Sequence, residues 1–416
     1  MAAAKKPEVV EPKEKVAKVL TKKERIAQTM GAINKQYGAG TVGNLKDKAK
    51  DFEIIQRTTK CQAFNQMLHG GFADGTIIEL YGTPDAGKTS MAFDFIGYRQ
   101  SLDEDFHAGW YETEGLFDID YAVGTFGIDP ERFSAFEMAE AGGAEKGLDV
   151  LETLVRSGDY NCMVINTIAG LTPAAEINSD MSQQLMGTHA RLISKLLRKI
   201  TAVARKKRCT LIFINQVRTD IGGYKGPEIA TGGLALRFWA SQRVAFRAGF
   251  IEAEEKAKGY DPAFFKKIDC TVKKNRISHG KNPYQKCTYY VEYGVGIDMI
   301  GEIPDIAVEL GILNKSGAFY SDPSDVIDKK TGKAIPRVVD GVKYQWQGGG
   351  QLRTYLRDTP DYVAELRARI EGAGGAITTT VTAMSAEEID EAKTEEAKAA
   401  ELLKEAGVDL TEGSDE

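Results

Sequence analysis

Eight consecutive residues, Gly82-Thr83-Pro84-Asp85-Ala86-Gly87-Lys88-Thr89, fit the pattern G-x-x-x-x-G-K-[ST] at every fixed position. Each fixed residue has a chemical task. Gly82 and Gly87 let the backbone fold into a concavity whose N–H groups face phosphate oxygens. Lys88 brings a point charge to the β- and γ-phosphates, and the Thr89 hydroxyl can ligate Mg²⁺. Such a loop needs a strand to deliver it and a helix behind it. The run Ile77-Ile78-Glu79-Leu80-Tyr81 reads as a buried strand. The following segment, with Met91, Phe93, Phe95 and Ile96, is amphipathic, and a helix starting near Lys88 aims its positive dipole end at the same anion. Strand, loop and helix stand in the required order, which predicts a nucleoside-triphosphate site.

A second chemistry is electrostatic. Over residues 183–207, at roughly 100° per residue, Arg191, Lys195, Arg198 and Arg205 fall within a sector of about 80°. Leu192, Ile193, Leu196, Leu197, Ile200, Val203 and Ala204 take the opposite side. No acid occurs from Ser182 to Lys207, whereas an ordinary solvated face mixes signs. The pattern predicts a helix that buries one face and offers the other to a phosphate backbone.

The elements positioning these groups alternate. Candidate strands at 76–81, 108–112, 162–166, 210–215, 243–247 and 269–274 are separated by helical stretches near 88–102, 145–157 and 183–207. Buried-looking strands alternating with helices predict an α/β core with a mainly parallel sheet covered on both faces. Residues 1 to about 25 carry eight Lys/Arg against four acids and read as a basic arm. Ile26, Met30, Ile33 and Tyr37 then recur at helical spacing, and Gly38-Ala39-Gly40 ends that helix. The expected division is a basic arm over 1–50 whose helix needs a partner surface on this or another subunit, a nucleotide-binding core over 51–295, a small α+β domain over 296–370 and an acidic flexible tail over 371–416. Residues 385–416 hold twelve Asp/Glu against three Lys, a net of −9, and the tail would compete with DNA for basic surfaces.

The bulk numbers agree with a soluble globular chain. Of 416 residues, 42% are hydrophobic and 27% charged, with a net charge of −6. No apolar run approaches the roughly 20 residues of a membrane span, and the lysine-rich start lacks a signal peptide's apolar stretch. Five cysteines without C-x-x-C spacing predict buried free thiols in a reducing cytoplasm, and four isolated histidines suggest no metal cluster.

Ten blocks, in order, then resemble one family, the RecA-type homologous recombinases: INKQYGAG (33–40), GTPDAGKT, WYETEGLFDIDYA (110–122), TIAGLTPAAEI (167–177), MGTHARL (186–192), LIFINQVR (211–218), TGGLALRFWAS (231–241), KNRI (274–277), YGVGI (293–297) and SGAFYS (316–321). The resemblance covers about residues 25–370. It implies ATP and Mg²⁺ as cofactors, with Gly82, Thr83, Pro84, Asp85, Ala86, Gly87, Lys88 and Thr89 around the phosphates and Asp118 and Tyr121 at the adenine. Glu114 resembles the glutamate that polarises the attacking water; a carboxylate just past a strand's C-terminal end lies near the γ-phosphate in such sheets. Gln216 resembles the γ-phosphate sensor. The loop from Val217 to Gly233, with five glycines, resembles a DNA-binding loop in which Arg218 meets phosphate and Ile221 wedges between bases, with Gly232 and Gly233 among its DNA-binding residues. A first such loop, about 178–187, would use Met186 as its wedge, with Arg191 and Arg198 on the backbone. Lys274 and Arg276 resemble the cationic pair that reaches a neighbour's ATP, and Phe238 the aromatic that inserts into the next protomer.

The implied function is an ATP-dependent recombinase that forms a helical homo-oligomeric filament on single-stranded DNA and engages double-stranded DNA for strand exchange. Single-strand-binding or mediator proteins are implied partners, membranes are not, and the setting is a bacterial or phage-infected host cytoplasm. Two alternatives stay open: a filament-forming single-strand binder with weak ATPase, and a hexameric helicase of the same superfamily. The chain departs from the family at Asn166, where an aspartate should hold a Mg²⁺-bound water; an amide keeps the acceptor and loses the charge. On these grounds alone Asn166→Asp is expected to lower the Mg²⁺ requirement. Pro84 and Asp85 also differ from the common bacterial loop, and residues 251–267 read as an insertion of unassigned purpose.

Overall fold

The computed structural model describes residues 20–137, 143–179, 187–218, 229–230, 235–301, 303–328, 334–373 and 382–405. The chain divides into two compact units, 1–54 and 55–416.

The first unit contains α1 (Lys22–Tyr37) and α2 (Leu45–Phe52). Thr21 and Glu24 form a reciprocal capping box that satisfies donors at the start of α1. No residue of α1 is buried, and Ile26 and Tyr37 stand exposed.

The second unit is built on one large sheet. Its labelled strands are β1 (Ile77–Gly82), β2 (Ala108–Glu112), β3 (Phe133–Glu137), β4 (Cys162–Asn166), β5 (Thr210–Arg218), β6 (Gln242–Gly249), β7 (Phe265–Asn275), β8 (Gln285–Glu292), β9 (Gly296–Ile297) and β10 (Thr382–Ala383). They lie in the order β9-β8-β7-β6-β1-β5-β4-β2-β3, with β10 also on β8. Strands β6, β1, β5, β4, β2 and β3 run parallel to one another; β7, β8 and β9 are added antiparallel beyond β6. The helices of this unit are α3 (Gln62–Met67), α4 (Lys88–Leu102), α5 (Gly143–Ser157), α6 (Ala174–Ile177), α7 (Thr188–Lys207), α8 (Ala235–Trp239), α9 (Ala253–Ala257), α10 (Ile303–Glu309), α11 (Gly348–Asp358), α12 (Pro360–Gly372) and α13 (Ala386–Glu405). One core, with Phe95, Trp110, Ile214 and Phe246, packs beneath α3 and α4; a second, with Ile165, Leu197, Ile200 and Phe213, packs beneath α5 and α7. This is the expected α/β core with helices on both faces. Four of the sheet's strands escaped the sequence reading: β3, short and half exposed at an edge, β8, and the two-residue β9 and β10.

Buried charge inside this core is matched by register. Glu79 in β1 sits between Asn215 of β5 and Arg243 of β6, accepting from Asn215 Nδ2 at 2.9 Å and Arg243 Nε at 2.5 Å. The pair satisfies what would otherwise be a costly buried anion. Asp94 on α4 is different. It accepts the backbone N–H of Lys60 at 2.9 Å, yet burial raises its pKa to about 7. Between pH 3.8 and about 7 the folded chain keeps a proton that the unfolded chain loses, so this group's contribution to stability falls as pH rises through that window. Asp94→Asn retains an acceptor for Lys60. It should therefore stabilise the protein by on the order of a few kcal/mol at pH 8 and by much less at pH 4.5. Urea unfolding at both pH values checks this; an equal difference at both would show that Asp94 does not titrate abnormally.

Residues 303–370 form a separate core around Tyr320, Trp346, Leu352, Leu356, Leu366 and Ile370. The 251–267 insertion fastens it to the sheet. Tyr260 stacks on Tyr290 at 3.6 Å between ring centroids, and the Arg353 guanidinium of α11 lies 4.3 Å over Tyr260 and 4.5 Å over Phe265. Arg353 also pairs with Asp298, and Lys258 meets Asp305 of α10 at 2.6 Å. Part of the stretch read as a tail is folded: β10 pairs with Gln285 and Lys286, Met384 and Ala392 are buried, and Lys286 bonds Glu388. Among the described residues no helix is long and apolar enough to cross a membrane, and all five cysteines are buried and free.

Candidate nucleotide site

The site follows from where the parallel strands end. β1, β2, β4 and β5 all point their C-terminal ends at one cleft of about 500 Å³. β1 delivers Gly82, whose φ of 157° and close approach to β6 exclude any side chain: a Cβ there would lie 2.0 Å from the Phe246 carbonyl oxygen. Gly87, at φ 85°, takes the left-handed conformation that starts α4, and no side chain caps that helix. Its first N–H groups are thus available to an anion. Asp85 is also left-handed, at φ 55°, a conformation asparagine and aspartate tolerate best after glycine.

Lys88 is buried and donates to the Thr83 carbonyl at 2.6 Å and the Gly82 carbonyl at 3.2 Å. Burial lowers its pKa to about 8, opposed by Glu114 and Asp85, with Lys266 adding to the lowering. From β2, Glu112 is buried and the exposed Glu114 reaches the cleft. Glu114 Oε1 accepts from Gln216 Nε2 at 2.5 Å and from the Thr167 hydroxyl at 3.2 Å. Asp118 accepts the Tyr121 N–H at 2.8 Å, and the Tyr121 hydroxyl lies 2.8 Å from Ser90 Oγ. Burial raises the Tyr121 pKa, and its ring packs edge-on against Phe93 and Phe126.

The cleft therefore brings together Pro84, Asp85, Ala86, Gly87, Lys88, Thr89, Glu114, Asp118, Tyr121, Asn166 and Gln216. Further polar residues that line it, Ser90, Thr167, Lys266 and Tyr293, had not been singled out. Tyr293 opens the YGVGI block and could have been found there. Lys266 lies one residue before the end of the insertion, where nothing in the sequence pointed to a ligand. The residues fit Mg²⁺ as a companion of a triphosphate. No cluster of three or more His, Cys, Asp or Glu among the described residues could hold a metal alone, and Mg²⁺ characteristically binds through phosphates with little protein help. The buried Asn166 Oδ1 has no hydrogen-bond partner among the described residues and can accept from a metal-bound water.

Residues 24–298 match the model of the RecA N-terminal domain. The chain belongs to the RecA family. It is 33% identical over 355 residues to Protein RecA of Ruminococcus albus, covering 85% of this chain and 81% of that protein. It is 34% identical over 352 residues to Protein RecA of Bacteroides thetaiotaomicron, covering 84% and 96%, and 33% identical over 361 residues to that of Desulforapulum autotrophicum, covering 86% and 94%. This places it among DNA-recombination and repair ATPases of the RecA type.

The remaining residues singled out from this RecA-family sequence lie elsewhere. Arg191 and Arg198 are exposed on α7, whose opposite face buries Ile193, Leu196, Leu197, Ile200 and Ala204. Arg276 is exposed, whereas Lys274 is buried and donates to the carbonyls of Arg237 at 2.6 Å and Phe238 at 3.2 Å, at the end of α8. Phe238 is half buried. Arg218 is the last residue of β5 and pairs through its backbone with Ile229. Met186, Ile221, Gly232 and Gly233 lie outside the described residues.

Proposed function

We propose that this protein is an ATP-dependent recombinase that assembles as a filament on single-stranded DNA and promotes homologous pairing and strand exchange. The observation that carries this reading is the Gln216–Glu114 hydrogen bond. Gln216 stands two residues before the end of β5, where the chain enters the glycine-rich segment read as a DNA-binding loop. The same amide thus holds the carboxylate read as the catalytic base. ATP would draw Gln216 toward the γ-phosphate, release Glu114 to polarise water, and pull the loop into its DNA-binding arrangement. Lys88 and the N–H groups at the start of α4 would hold the triphosphate, and Tyr121 and Asp118 the base. Mg²⁺ bound with ATP, near Thr89 and with Asn166 at one of its waters, would neutralise phosphate charge. The exposed cations of α7 would meet the DNA backbone.

The domain division read from the sequence suits this work. The 1–50 arm would join protomers, 51–295 would hydrolyse ATP and bind DNA, 296–370 would form the attached domain, and the acidic end would compete with DNA. Activity in the cytoplasm belongs to the same reading. Asn166 favours a second version, the same filament with slow hydrolysis.

The test is ATP turnover with and without single-stranded DNA, joined to a strand-exchange assay. DNA should stimulate turnover severalfold or more and exchange should require ATP. Equal turnover in both conditions would break the proposed coupling through Gln216. Rings rather than filaments in electron micrographs would favour a helicase.

A further inference from the structure

Glu112 and Asn166 are direct neighbours in the parallel register of β2 and β4. Glu112 is 2% exposed and accepts three hydrogen bonds: from Trp110 Nε1 at 2.9 Å, from the Glu114 N–H at 2.7 Å and from Asn166 Nδ2 at 2.9 Å. A carboxylate offers only acceptors, so the residue opposite must donate. Asparagine does, and its other atom, Oδ1, has no partner among the described residues on a side chain that lines the nucleotide cleft.

We propose that Glu112 is a positioning residue that carries the negative charge of the metal-side position one strand away from its usual place and acts through Asn166. It fixes the amide with Nδ2 inward, so that the free Oδ1 accepts from water on the Mg²⁺ that accompanies ATP, and it polarises that acceptor across the intervening bond. The same carboxylate holds the Glu114 backbone, so both sides of the cleft's phosphate end are set from one buried group. This rests on the nucleotide-binding reading above. It also reverses the expectation for Asn166→Asp. With Glu112 in place, an aspartate would set two carboxylates about 3 Å apart with no proton donor between them.

Wild type, Asn166→Asp, Glu112→Gln and the double variant decide the matter. Two readouts are needed: thermal unfolding without nucleotide or metal, and the Mg²⁺ concentration giving half-maximal ATP binding by calorimetry. Asn166→Asp should lower the melting temperature by about 2–5 °C in the wild-type background and by clearly less in the Glu112→Gln background. Recovery will be partial, because Glu112→Gln exchanges one of the two accepting oxygens for an NH₂ group, and both oxygens are in use. Glu112→Gln alone should raise the half-saturating Mg²⁺ about fivefold or more, and adding Asn166→Asp should return it to within about twofold of wild type, since the charge is restored on the other strand. If Glu112→Gln fails to fold, its rescue by Asn166→Asp is itself the coupling, and no rescue overturns the proposal. Equal melting shifts in both backgrounds, or an unchanged Mg²⁺ requirement in Glu112→Gln, overturn it too. A wild-type protein that binds no ATP at any Mg²⁺ concentration would instead overturn the nucleotide reading itself.

Discussion

Lys88→Ala is expected to weaken ATP binding by about 100-fold or more. Two charge-assisted hydrogen bonds to phosphate, at roughly 1.5–3 kcal/mol each, account for a loss of that size. The fold should survive, because the hydrogen bonds that the ammonium makes among the described residues go to the loop carbonyls of Gly82 and Thr83. The pH dependence gives a second signature. Burial holds the Lys88 pKa near 8, so below that value the free protein already carries the charge that phosphate requires. Above it, a neutral amine must first take up a proton, and wild-type affinity should fall as pH passes from 7.5 to 9. Stability of the nucleotide-free protein moves the other way. Between about 8 and 10.5 the unfolded chain keeps a proton that the folded chain has lost, so this group favours folding increasingly as pH rises. Calorimetric titrations of ATP at pH 7, 8 and 9 test the first trend. The same slope in Lys88→Ala would assign the titration to another group.

Changing Lys274 and Arg276 together to alanine is expected to abolish hydrolysis while leaving ATP binding by the lone protomer intact. On the proposed reading these cations act on the neighbour's nucleotide. The two single changes should separate. Arg276 is exposed and its loss should leave the melting temperature alone. Lys274 is buried against the carbonyls that end α8, so its loss removes a charged donor worth about 1–3 kcal/mol and should lower the melting temperature as well. Mixing the double variant with the Lys88→Ala protein supplies the decisive measurement. Each active site then needs its phosphate loop from one protein and its cations from the other, and random head-to-tail assembly restores about a quarter of the sites. No recovery in proven mixed filaments would mean that the pair does not work across a boundary.

What could be read before the structure was local. The phosphate loop is contiguous, so Gly82, Gly87, Lys88 and Thr89 identify it by spacing alone. Likewise the basic face of α7 follows from one helical period, and Arg191 and Arg198 are indeed exposed there. Glu112 was opaque for the opposite reason. Its role depends on Asn166, 54 positions later, standing directly across from it, and only strand register supplies that fact. Lys274 shows the same limit: the sequence reveals a cation, but not that its charge rests on the end of α8. The insertion was unreadable because Tyr260 makes sense only beside Tyr290 and Arg353, which arrive later in the chain.

The clamp around Tyr260 bears on how such proteins can be taken apart and recombined. Its rings belong to the insertion and to β8, its guanidinium to α11, and its counter-ion, Asp298, to the chain between them. Neither half has a use without the other. A chimaera that joined this ATPase core to the distal part of a relative lacking Arg353 would leave Asp298 as a buried acid without its cation. The reciprocal graft would strand a buried arginine. Heredity should therefore pass 251–267 and α11 as a linked pair, changed together or not at all, although they stand far apart along the chain.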